Sequence, residues 1–110
     1  MVEHKYGIFT DEQMNETRAN LRKRVFFLLL IVDPKTKHNY DDYNVDVPKS
    51  FQSVLREIGG LNDLLGNPQF LVSALSLLDA ALLEYQKSDF DFSVYRRLVL
   101  EAGAKFKEGV

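Results

Sequence analysis

The residues that could do chemistry in this chain are few and scattered. There are two histidines, His4 and His38, and no cysteine. The absence of cysteine removes a thiol nucleophile, a thiolate metal site and a disulfide framework together, and it fits a reducing compartment. No Gly-x-Ser-x-Gly elbow, phosphate-cradling glycine loop or His-Glu-x-x-His pair occurs. Glu12 and Glu16 stand one helical turn apart. In a capped first turn such carboxylates serve the positive end of a helix and face solvent. With no set of nucleophile, base and stabiliser, the expectation is a protein without catalysis, cofactor or small-molecule substrate.

Two segments imitate a calcium loop. Asp42-Tyr43-Asn44-Val45-Asp46 has the opening pattern, but Val47 stands where glycine is needed and Ser53 where a bidentate glutamate is needed. Asp89-Phe90-Asp91-Phe92-Ser93 repeats the partial match and ends on Leu100. Asp and Asn also favour turns and caps for local reasons, so no metal is expected.

Binding chemistry is better represented. Arg18, Arg22, Lys23 and Arg24 cluster within seven residues. Such a group can contact phosphates or lie as a solvated face whose long side chains cover the core edge. A second basic pair is Arg96-Arg97. The chain as a whole carries 14 basic and 16 acidic residues, a formal charge of −2, which withholds the usual electrostatic excess of a nucleic-acid binder. Tyr40, Asp41, Asp42, Tyr43 and Asn44 form a compact aromatic and acidic group. Loop tyrosines combine apolar area with a hydroxyl and suit recognition. They can equally fold back onto a core while the acids face water.

These groups must be positioned by helices. Thr10-Asp11-Glu12-Gln13 has the capping-box form, with Phe9 and Met14 placed as a hydrophobic staple. Helix 1 is expected over about 11–32, stopped by Pro34. Its second half, Val25–Val32, is apolar on every side, which marks a segment buried on several sides. A strand is the alternative for that run, and the continuous capped pattern upstream favours helix. Residues 1–9 are expected as an extended segment and 33–46 as a long polar loop.

Helix 2 is expected over about 48–58, started by Asp46 and Pro48. Gly59-Gly60 either ends it or is crossed by a short extension to 65. Asn67 as cap and Pro68 in the first turn start helix 3, expected over 68–86. Its polar residues fall near one narrow stripe, so it is placed at the domain centre or under an oligomer interface. Helix 4 is expected over 92–105, capped by Asp91 or Ser88. With 110 residues, the chain is expected to form a single all-α domain, 1–110, a compact bundle of four main helices.

The N-terminal residues show no signal-peptide architecture. The longest apolar run has eight residues, against about 20 for a spanning helix. The expectation is a cytoplasmic protein that meets no membrane. Two helices rich in apolar residues leave more apolar surface than a small bundle obviously covers, which points to a partner. The functional expectation is therefore a helical protein-interaction module or dimeric accessory or adaptor protein. Phe26, Phe27, Leu30, Tyr40, Asp41, Asp42 and Tyr43 are its candidate contacts, and the partner is another protein or a second copy as a homodimer. The alternative is a small nucleic-acid-binding regulator using Arg18, Arg22, Lys23 and Arg24.

Overall fold

Each helix starts where a side chain or a fixed backbone can hold its free amides. The computed structural model describes the backbone of residues 2–4, 7–39 and 45–108, and the side chains of 10–39 and 45–107. Four helices account for most of it: α1 Asp11–Leu30, α2 Val47–Leu64, α3 Gln69–Tyr85 and α4 Phe92–Glu108. Ahead of them, β1 Val2–His4 and β2 Gly7–Phe9 pair antiparallel, with Val2 opposite Phe9. The described part of the expected extended segment is thus a short antiparallel strand pair beside an all-α four-helix bundle.

The Thr10 box is closed in both directions. Gln13 N–H donates to Thr10 Oγ1 at 3.0 Å, and Thr10 N–H donates to Gln13 Oε1 at 3.0 Å. Met14 is buried; the Phe9 half of the expected staple lies outside the described side chains. Thr10→Ala removes one acceptor of a free helix amide and should cost about 1 kcal/mol in chemical denaturation. An unchanged midpoint would mean that the box does not hold the start of α1.

At its other end α1 stops at Leu30, two residues before the expected limit. A carboxylate and a hydroxyl close the turn. Lys35 N–H donates to Asp33 Oδ1 at 2.8 Å, and the Thr36 hydroxyl donates to the Leu30 carbonyl at 2.7 Å. Asp46 caps α2 by accepting from Lys49 N–H at 3.1 Å, with Pro48 in the first turn. Asp91 is the cap of α4, accepting from Ser93 N–H at 2.9 Å and from the Ser93 hydroxyl at 2.8 Å. Those bonds hold its carboxyl below the usual aspartate range.

The start of α3 departs from expectation. Asn67 is not its cap: Pro68 takes that position and makes no side-chain capping bond. Gly66 and Asn67 both have positive φ, 76° and 61°. Asn67 N–H donates to the Asn62 carbonyl at 2.9 Å and Gly66 N–H to the Asp63 carbonyl at 3.4 Å. This pair of bonds is a Schellman ending, so Asn67 finishes α2 instead of starting α3. Crossing Gly59-Gly60, α2 is continuous. Phe51, Val54, Ile58 and Leu61 are buried along one face on both sides of the glycines. Each such side chain gains about 1.5–3 kcal/mol on burial, which outweighs about 1 kcal/mol per glycine.

The helices pack as a ring, α1 against α2, α2 against α3, α3 against α4 and α4 back against α1. Leu28, Phe51, Ile58, Leu71, Leu78 and Tyr95 are among the fully buried side chains. In such a ring no helix is central, which corrects the first of the two placements expected for helix 3, at the domain centre. One face of α3 is buried through Leu71, Ala74, Leu78 and Ala81, while Val72, Ser76, Asp79 and Leu83 face outward. The Val25–Val32 run is helical over most of its length and is absorbed by two neighbours. Val25, Leu28, Leu29, Ile31 and Val32 are buried, and Phe27 and Leu30 are half-buried. No helix among the described residues is long and apolar enough to cross a membrane.

Glu84 is the one buried charged side chain among the described residues. It accepts from Lys87 Nζ at 2.8 Å and from Asp91 N–H at 3.1 Å. The Lys87 bond, then the Asp91 amide, holds its carboxyl below the usual glutamate range. The carboxylate thereby ties the end of α3 to the cap of α4.

Candidate interaction groove between α1 and α4

Where α1 and α4 run side by side, small residues leave a shallow channel. Ala19 stands on α1, and Gly103 and Ala104 on α4. A Cβ added at Gly103 would meet Val25 Cγ1 at 3.8 Å, so the two helices pack closely at the floor. Over that floor lies an open groove of about 410 Å³. Buried Val25 and Val99 form its base, with Phe26 and Leu100 on the two walls. Phe26 is 50% exposed and Leu100 36%. Scattered exposed apolar residues need no explanation, but these two line one groove from opposite helices.

The rim is cationic. Arg22 and Lys23 stand on the α1 side and Lys107 on the α4 side, and among the described residues no carboxylate lines the groove. Lys107, with Lys105, also lies in the last turn of α4, where positive charge suits the helix dipole. None of these three rim cations has an ion pair among the described residues.

The basic cluster of α1 is divided by this geometry. Arg18 donates to Asn15 Oδ1 at 2.7 Å on its own helix. Arg24 turns to α2, where it pairs with Glu57 and donates to Ser53 Oγ at 2.7 Å. It bridges two helices at the surface, an arrangement worth about 0–1 kcal/mol. Lys23 and Arg24 also line more open space against α2, together with Phe27 and Lys49 on one stretch of about 440 Å³ and Arg56, Glu57 and Gly60 on another of about 800 Å³.

Of the other sequence candidates, Phe26 is at the groove. Phe27 packs partly against the core, and Leu30 is half-buried with its carbonyl bonded to Thr36. Tyr40, Asp41, Asp42 and Tyr43 lie outside the described residues, as does Asn44 of the calcium-like pattern. Asp46, the third oxygen-bearing position of that pattern, serves as the α2 cap. Among the described residues no group of three or more His, Asp or Glu is placed to hold a metal ion.

Sequence reasoning missed the α4 wall. Leu100, Gly103, Ala104 and Lys107 follow the i, i+3, i+4, i+7 spacing of one helical face. That signal was present, but Gly103 reads more simply as a weak point in a C-terminal turn. No protein-family profile, curated protein or solved structure matches the chain significantly, which leaves the chemistry of the groove as the ground for a functional reading.

Proposed function

We propose that this chain is a small, non-catalytic helical interaction module that seats a segment of a partner protein between α1 and α4. The observation that carries this reading is the groove itself: an apolar floor, a half-exposed Phe26 and an exposed Leu100 lining it from opposite helices, and rim cations with no ion pair among the described residues. The ring of helices already absorbs most of the apolar surface that a dimer would otherwise cover. What remains exposed among the described large apolar side chains is Phe26 and Leu100 here, and Val72 and Leu83 on α3. The two α3 residues line none of the grooves described above. The nucleic-acid reading has less support because the four cations are not gathered on one face: Arg18 bonds Asn15 of its own helix and Arg24 pairs with Glu57 of α2, which leaves Arg22 and Lys23 at the groove.

Placing a photo-crosslinking phenylalanine analogue at Phe26 and, separately, at Leu83 tests the reading in cells. Leu83 is 65% exposed and serves as a control for accessibility alone. Adducts to another protein are expected from position 26 and not from 83. Phe26→Ala should lower stability by only about 1 kcal/mol, since half the ring is already in solvent. No adduct at 26, or equal labelling from both positions, would remove the groove as the binding surface.

A further inference from the structure

We infer that the occupant of the α1–α4 groove is an acidic amphipathic helix: a partner segment with apolar side chains at i, i+3 and i+7 and carboxylates along its flanks. This rests on the interaction-module reading and names the chemistry of the partner. The first ground is charge. The chain carries more acids than bases, 16 against 14, yet the groove collects Arg22, Lys23 and Lys107 with no carboxylate among its described lining residues. A local cationic rim on an overall anionic protein repels basic partners at short range and steers acidic ones.

The second ground is shape. The groove follows α1 from Ala19 to Phe26 and α4 from Val99 to Lys107. At 1.5 Å per residue each wall is about 10–12 Å long, roughly two turns of a third helix. Two turns present apolar anchors at i, i+3 and i+7, the register of helix-in-groove recognition. An added β-strand requires a free sheet edge, and both walls here are helices whose amides and carbonyls are already bonded within the helix. A small carboxylic acid is disfavoured because the groove is open, whereas small-ligand sites enclose most of the ligand.

The test uses a side-chain-stapled helical peptide of about 16 residues, long enough to hold a helix when constrained. It carries leucines at i, i+3 and i+7, glutamates on both flanks and the staple on the far face. Its twin has lysine in place of every glutamate. Fluorescence anisotropy against the full chain should show the glutamate peptide binding at least about tenfold more tightly. The Arg22→Glu/Lys107→Glu variant, checked by thermal melting to be folded, should reverse that order. Phe26→Ala should weaken both peptides. Equal binding of the twins, with Phe26 dependence retained, would overturn the acidic preference and leave the interaction groove standing. Binding of neither peptide would overturn the inference, and if position 26 also gave no adducts the interaction reading would fall with it. Displacement of the glutamate peptide by a short oligothymidylate, or a Phe26-dependent dimer that excludes the peptide, would assign the groove to nucleic acid or to a second copy and likewise overturn it.

Discussion

Tyr95→Phe should lower the free energy of unfolding by about 1–3 kcal/mol, the range for leaving a buried acceptor without its donor. The acceptor is the Leu28 carbonyl, to which the Tyr95 hydroxyl donates at 2.5 Å from 67 positions away. A helix end leaves its last carbonyls without partners from the next turn. At the end of α1 each is accounted for. Phe27 O accepts from Ile31 N–H, Leu29 O from Asp33 N–H and Leu30 O from the Thr36 hydroxyl. Val32 N–H, which would reach Leu28 O in a continuing helix, bonds Leu29 O instead. Tyr95 fills that gap from α4. Its ring, fully buried, meets Phe51 of α2 edge-on at 6.1 Å, Tyr85 of α3 at 6.2 Å and Phe90 of the last connection edge-on at 5.7 Å. One side chain therefore joins all four helices at one end of the bundle, and phenylalanine keeps the ring contacts while deleting only the bond.

The same phenol gives the substitution a pH signature. Burial, and secondarily the neighbouring Tyr85, pushes the Tyr95 phenol well above the ordinary tyrosine range. The folded chain then holds this proton more tightly than the unfolded chain does. The stability it contributes is full below about pH 10, the unfolded value, and is lost progressively as pH climbs above it. Denaturant titrations from neutral to strongly alkaline pH should show Tyr95→Phe less stable at neutrality but with a shallower decline above about pH 10. Tyrosinate absorbance should show one ionisation in the native protein delayed until unfolding, and absent from the variant. Parallel pH profiles for the two proteins would mean that the Tyr95 hydroxyl reaches water.

How much of this was legible depends on the distance over which each feature is encoded. The Thr10 box and the Asp46 cap are written within a few residues, and both operate in the structure; the stop expected at Pro34 comes earlier, at Leu30. Asn67-Pro68 is also local, but it is ambiguous. The pair suits the start of one helix and the Schellman end of another, and only the left-handed φ of Gly66 and Asn67 decides between them. Glu84 reads as one more polar residue on a helix stripe until α4 brings the Asp91 amide to it. The Tyr95 bond has no local signature, because its partner is a backbone carbonyl, which every residue supplies. The groove was half legible. Phe26, Arg22 and Lys23 stand out within α1, whereas Lys107 and Gly103 acquire meaning only when α4 is laid alongside.

Gly59→Ala/Gly60→Ala should raise stability by about 1–2 kcal/mol, near the sum of two independent glycine-to-alanine gains in a helix interior. Both glycines lie inside the continuous helix Val47–Leu64. Neither has positive φ, and an added Cβ at either meets nothing within 4 Å. The packing therefore does not require glycine, and its cost persists in the freedom of the unfolded chain. Gly66→Ala is the internal control. There too a Cβ meets nothing within 4 Å, but φ is +76°, so alanine should cost about 1–2 kcal/mol through the left-handed backbone alone. For a domain of this size each kcal/mol moves the melting temperature by several degrees. Opposite shifts from the same substitution, upward at 59–60 and downward at 66, would separate the entropic cost of glycine from the conformational need for it. A fall in stability at 59–60 would mean that α2 in solution bends at the glycines, and that the face running from Phe51 to Leu61 is not the straight helix that closes the ring.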